Sequence, residues 1–217
     1  MFELKSLFIG IPNDLYVIVK YDEEVYKRRV FDIDIFTYDL NCLVEMASKN
    51  FLSVVSDGRI EVLQKSNDHI QLDLFYSNTE FVRLDIYSEL PTYNFLSLKS
   101  SLFTFFLESR QVFISKIFGE ISILNDEANS FFRYIEYLEY IESRSDKSKH
   151  LDFVNEYVKN NDSERIFSLF HYFVKLNSKV IVKKKKGYIS FIIFKYKELG
   201  LRKFVKRSLM KLFKKDI

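Results

Sequence analysis

One cysteine, two prolines and five glycines are all that 217 residues hold of these three types. With Cys42 alone, a disulfide framework or a cysteine-built zinc site is excluded within one chain. So little glycine and proline argues against a barrel or sandwich that turns tightly every few residues, and against long disordered linkers. Long apolar runs are missing too. Stretches such as Tyr188 to Phe194 fall far short of the roughly 20 residues that span a bilayer. Met1-Phe2-Glu3-Leu4-Lys5 has no basic segment leading into an apolar one, so no signal peptide is expected and the expected compartment is the cytoplasm.

Apolar and aromatic residues are plentiful. A hydrophobic share of 47%, with 23 Phe and 14 Tyr, can fill a sizeable core, so a globular protein is expected. The net charge of +3 conceals a division. From Lys175 onward there are 15 Lys and Arg against two acids, Glu198 and Asp216; the first 174 residues hold 18 bases and 28 acids. A mildly acidic body thus carries a strongly basic tail, which suits an anionic partner.

Leu15 to Lys20, β-branched and aromatic after the turn-forming Pro12-Asn13-Asp14, reads as a buried strand. Val30 to Thr37 reads as a second, and Asp39 precedes Leu40, Leu43, Val44 and Met46 at helical spacing, as a helix cap would. Val54-Val55, Arg59 to Leu63, Ile70 to Tyr76 and Phe81 to Tyr87 read as short strands parted by polar turns. After Pro91 the pattern becomes helical: Phe131, Phe132, Ile135, Leu138 and Ile141 recur at helical spacing behind Asp126 and Glu127, and Leu151 to Lys159 and Arg165 to Leu176 are amphipathic.

The chemistry-bearing feature is Asp32-Ile33-Asp34. Residues two apart in a strand share a face, so both carboxylates converge among Phe31, Ile33, Ile35 and Phe36. Two such charges repel unless a cation stands between them, and a hard oxygen-liganded ion such as Mg²⁺ would serve. The plainer alternative is a strand edge whose Asp pair faces water.

Several further residues bear a resemblance. Tyr16-Val17-Ile18-Val19-Lys20, then Arg29, Asp32-Ile33-Asp34, Leu84-Asp85-Ile86 and Ile123-Leu124-Asn125-Asp126-Glu127 follow one another in order, with the helix Phe131 to Ile141 and the Lys147/Lys149/His150 stretch beyond. This resembles a family of nucleotidyltransferase-fold proteins associated with bacterial surface-polysaccharide synthesis, over residues 4–160. The resemblance implies that Asp32 and Asp34 bind one or two Mg²⁺ ions. It makes Asp85 the third carboxylate, orienting or deprotonating an acceptor hydroxyl, and sets Lys20 and Arg29 on phosphate oxygens. The departure is that Arg29-Val30-Phe31 stands where the wider superfamily has Gly-Ser or Gly-Gly, and no glycine lies between Gly10 and Gly58. The usual backbone cradle for phosphate is therefore missing.

Other candidates have plainer explanations. Asp73, in Leu72-Asp73-Leu74, competes with Asp85 for the third place, and the two are expected on adjoining strands. His69, His150 and His171 lack paired metal-site spacing and read as surface or helix histidines; Cys42 reads as helix packing near the core. Tyr134, Tyr137 and Tyr140 could wall a sugar or base site, but such a stripe is more often packing.

In the tail, Leu201, Phe204, Val205, Leu209, Met210, Leu212 and Phe213 form an apolar stripe opposite Arg202, Lys203, Lys206, Arg207, Lys211 and Lys214. Such a helix either lies in an anionic membrane interface, through Leu201, Phe204, Lys206, Arg207 and Phe213, or packs on the protein's own helices. Nucleic acid is the weaker partner.

The expectation is an α+β protein: a nucleotidyltransferase-like mixed sheet with flanking helices over 1–95, an all-helical region over 96–180 and a basic tail over 181–217. The expected function is Mg²⁺-dependent transfer of a nucleotidyl or other phosphate-containing group from its donor to a saccharide or lipid-linked acceptor, at the inner membrane face. The alternatives are a nucleotidyltransferase toxin modifying RNA or protein, and a degenerate transferase fold serving as a binding or assembly subunit.

Overall fold

The computed structural model describes residues 4–23, 26, 32–141, 143–160 and 163–177. Arg29 and the tail residues Leu201, Phe204, Lys206, Arg207 and Phe213 lie outside the described residues.

Among the described residues, seven strands form one mixed sheet. They are β1 (Tyr16–Ile18), β2 (Asp32–Thr37), β3 (Arg59–Lys65), β4 (His69–Phe75), β5 (Phe81–Tyr87), β7 (Arg110–Ser115) and β8 (Gly119–Leu124), in the order β3-β4-β5-β2-β1-β8-β7. The β2–β5 and β1–β8 pairs are parallel; the rest are antiparallel. β6 (Leu96–Leu98) and β9 (Val174–Leu176) make a second, two-stranded sheet. The helices are α1 (Leu40–Val54), α2 (Ser101–Glu108), α3 (Asp126–Tyr140), α4 (Ser148–Asn160) and α5 (Ser163–Phe173). The described residues up to Lys175 cluster as one compact unit.

Strand alternation sends side chains to two cores. On one face Ile33 and Ile35 of β2, Ile70, Leu72 and Leu74 of β4, and Leu84 and Ile86 of β5 pack with Leu43, Ala47 and Phe51 of α1. α1 starts where Asp39 accepts from the Cys42 N–H at 3.0 Å, satisfying one of the free donors of the first turn. On the other face Val17, Val19 and Phe36 pack with Leu102 and Phe106 of α2 and Phe131, Phe132 and Ile135 of α3. Phe36 sits edge-on to Phe132 at 5.5 Å and to Tyr87 at 6.1 Å. Asp32 and Asp34 alternate onto this second face, beside Phe36.

Four expectations are corrected. The region after Pro91 is not all helical: β7 and β8 complete the large sheet, with Ile18 paired to Ile123. The segment Arg165 to Leu176 is helical only to Phe173 and then extends as β9. Val54 ends α1 instead of opening a strand, since the apolar spacing from Leu40 to Phe51 buries one helix face and carries the chain past its β-branched end. Cys42 is exposed, because Leu40, Leu43, Ala47 and Phe51 define the buried side of α1 and it falls off that stripe. No helix among the described residues is long and apolar enough to cross a membrane.

Candidate functional site

Register brings the acidic residues together. In the parallel β2–β5 ladder Asp34 lies opposite Asp85 and Asp32 opposite Arg83; in the β4–β5 hairpin Gln71 lies opposite Asp85, His69 opposite Tyr87 and Asp73 opposite Arg83. These side chains share the sheet face that α2 and α3 cover only around Phe36.

Asp85 is buried, and three groups hydrogen-bond it. Gln71 Nε2 donates to Oδ1 at 2.5 Å, His69 Nε2 lies 3.2 Å from the same oxygen, and the Asp32 carboxyl is a third partner. The Gln64 amide reaches His69 Nδ1 at 3.0 Å, leaving the Nε2 proton for Asp85. Tyr87 stacks on the His69 ring at 4.1 Å and fixes its plane. Burial alone would raise the Asp85 pKa, but these hydrogen bonds outweigh it and hold the carboxyl below its ordinary value. Asp32 behaves oppositely. It keeps much of its surface exposed, yet nearby protein displaces part of its hydration, and the charges of Asp34 and Asp85 add to that; its pKa is pushed up to about 7.

Lys20 approaches from the end of β1. Its Nζ lies 2.5 Å from Asp34 Oδ2 and 3.9 Å from Glu136 Oε2 of α3, and 5.7 Å above the Phe132 ring. Burial works against its charge, but Asp34 and Glu136 prevail and raise its pKa. Its backbone is left-handed, with φ 57°, which costs a non-glycine residue on the order of 1 kcal/mol. Arg133 holds that bend by donating to the Lys20 and Tyr21 carbonyl oxygens at 2.8 and 3.3 Å.

Asp73 belongs to a different arrangement. Arg83 Nε and Nη2 grip its two oxygens at 2.7 Å each, a bidentate pair that satisfies both partners. Asp85, not Asp73, is therefore the acid that adjoins Asp32 and Asp34.

The group invites a cation without already forming a cage. Among the described residues no three acidic, histidine or cysteine side chains surround one point as a metal site does. Asp34 is turned to Lys20, and Asp85 to Gln71 and His69. The upward push that Asp34 and Asp85 add at Asp32 marks negative charge gathered at a point that an oxygen-liganded divalent ion also suits. Asp32, Asp34 and Asp85 are the side chains that could hold it.

His69, Gln71, Glu136 and Lys147 were not picked out as site residues from sequence. The signal for the first two was the polar alternation His69-Gln71-Asp73 on one face of β4, legible only with the hairpin register. Tyr134 packs against Phe170 and Phe167 of α5 at 5.5 and 5.9 Å, which makes it packing and not a ligand wall.

No family model and no curated protein matches the chain. Among solved structures, a presumptive nucleotidyltransferase from H. pylori aligns at TM-score 0.37 and 11% identity, over 60% of this chain and 53% of that one. MenT4, a nucleotidyltransferase toxin of Mycobacterium tuberculosis H37Rv, aligns at TM-score 0.31 and 11% identity, over 62% and 50%. The chain spans about half the length of each. Likeness of this degree assigns the chain to no family.

Proposed function

We propose that this protein is a Mg²⁺-dependent transferase that moves a nucleotidyl or other phosphate-containing group onto a hydroxyl acceptor. The observation that carries the reading is the register that sets Asp34 opposite Asp85, with Asp32 two residues before Asp34, on one face of two parallel neighbouring strands. A bound divalent ion would neutralise phosphate oxygens there and polarise the phosphorus. Asp32 and Asp34 are its ligands. Asp85, kept low by His69, Gln71 and Asp32, suits orienting the acceptor and the ion more than taking a proton at neutral pH. Lys20 and Arg29 are the cations assigned to the phosphates of the donor.

The acceptor class we propose is a saccharide or lipid-linked glycan, on the strength of the sequence resemblance, with the basic tail at an anionic membrane surface. The decisive assay incubates the full chain with Mg²⁺, radiolabelled nucleotides and, in separate arms, a lipid-linked glycan extract and total tRNA. Label in the glycan arm, lost with Asp34→Asn, is the expected result. Label in tRNA alone would replace this reading with that of an RNA-modifying enzyme.

One observation favours a second reading, a binding subunit on a degenerate transferase fold. No glycine stands between Gly10 and Gly58 to form a phosphate-cradling loop before Asp32. Calorimetry separates the two: heat with neither Mg²⁺ nor any nucleotide would favour the binding subunit.

A further inference from the structure

Behind the carboxylates lies a second charged cluster, in which one acid faces several bases. Glu136 on α3 is buried, and its Oε2 accepts from Lys147 Nζ at 2.6 Å while Lys20 Nζ lies 3.9 Å away; Oε1 accepts from the Tyr93 hydroxyl at 2.8 Å. Two ammonium groups on one carboxylate oxygen are close enough for a single diphosphate to bridge. Arg133, one turn before Glu136, is also buried, and its Nε has no hydrogen-bond partner among the described residues.

The electrostatics show both lysines acting on Glu136. Burial would raise the Glu136 pKa, but Lys20 and Lys147 outweigh it and carry the carboxyl down to about 2. Lys147 is nonetheless lowered, because burial exceeds what its share of one carboxylate returns. Glu136 thus has two lysines beside it, of which Lys20 is shared with Asp34. His150, 3.4 Å from Arg133, is held down to about 4, by burial first and then by Lys147 and Arg133.

Lys147 would satisfy Glu136 and Asp34 would satisfy Lys20, so bringing the two ammonium groups to one carboxylate oxygen is a matter of placement rather than of charge balance. The strained backbone at Lys20 points the same way, since strain of this kind is kept where a side chain must be placed for a task.

We propose that Lys20 and Lys147, gathered by the buried Glu136 carboxylate, form a subsite for two adjacent phosphoryl groups of a polyphosphate donor. Lys20 touches both Asp34 and Glu136, so a phosphate chain on the lysine pair would end beside the acidic group. The ammonium groups replace the missing glycine loop as phosphate donors of hydrogen bonds. The inference rests on the transferase reading and adds to it the donor class, an ester of a di- or triphosphate. Glu136 is a positioning residue, acting through the lysines.

The test is calorimetric titration of the full chain with inorganic triphosphate, and separately with Mg²⁺. Lys147→Met is expected to weaken triphosphate binding about tenfold or more, the loss of one charge-assisted contact. Lys147→Arg should stay within about threefold of wild type, since the charge is kept. Lys149→Met, the same charge change at an exposed neighbour, should move it by less than about twofold. Mg²⁺ affinity should be unchanged in Lys147→Met. Equal losses in the 147 and 149 variants would show general surface attraction and overturn the subsite. So would wild-type binding that survives Lys147→Met, and so would a wild type that ignores triphosphate. Absence of Mg²⁺ binding in the wild type would instead count against the transferase reading, and leaves the triphosphate comparison to be judged by itself.

Discussion

The strands β4 and β5 carry two acids on the same sheet face, and the protein treats them in opposite ways. Asp73 is gripped at both oxygens by Arg83, its register partner, and is electrically complete. Asp85 faces Asp34 across the parallel ladder and lies close enough to Asp32 to raise its pKa, so carboxyls are gathered against carboxyls. A compensated pair needs nothing more than the fold. An uncompensated group keeps a place for something that the chain itself does not provide.

Breaking each arrangement should give different symptoms. Asp34→Asn should cut Mg²⁺-dependent transfer by about a thousandfold or more, as expected when a ligand to a charge-stabilising ion is lost. Asp73→Asn should leave turnover per folded molecule within a few-fold of wild type. Parallel rate assays on the two variants check this, and equal losses would erase the distinction.

Stability should reverse the ranking. Arg83→Met leaves Asp73 buried and unpaired, which costs about 3 kcal/mol. In thermal melts that corresponds to a fall of about 10 °C for a domain of this size. Mg²⁺ affinity, measured on the protein still folded at 15 °C, should change only a few-fold.

A pH series sharpens the contrast further. A cation at Asp32 must displace a proton whose pKa is about 7. Mg²⁺ affinity should therefore fall about tenfold from pH 8 to pH 6, following the protonated fraction. A flat titration over that range would mean that Asp32 does not ligate the ion.

The smallest effect is on the melting temperature of Asp32→Asn. Raising this carboxyl from 3.8 to about 7 means that its charged form weakens the fold above pH 7, and that this penalty fades as pH falls toward 3.8. The variant should gain about 1–2 °C at pH 8, modest because Asp32 is exposed and screened by water. It should gain nothing at pH 3.5.

Local chemistry made part of this legible in the sequence. Period-two alternation placed Asp32 and Asp34 on one face, and Asp39 announced the start of α1 through its capping bond. What sequence spacing cannot encode is register between distant strands. That is why the choice between Asp73 and Asp85 rested on resemblance, and why His69 and Gln71 read as ordinary polar residues until β4 and β5 were aligned. β7 escaped for a related reason. Arg110–Ser115 follows the aromatic helix α2 almost directly, and only its pairing with β8, Arg110 opposite Leu124 through Ser115 opposite Gly119, declares it a strand. Glu136 was hidden differently. On α3 it falls at helical spacing with Phe132, and only the partners it finds inside distinguish it from a surface acid.

The account stands on the carboxylates of β2 and β5 holding a divalent cation. Isothermal titration of Mg²⁺ at pH 8 into the full chain and into Asp32→Asn/Asp34→Asn tests this most directly. Saturable binding of one or two ions by the wild type, absent from the double variant with its fold intact by circular dichroism, is the predicted result. A wild type that takes up no Mg²⁺, or a double variant that binds it equally well, would contradict the account.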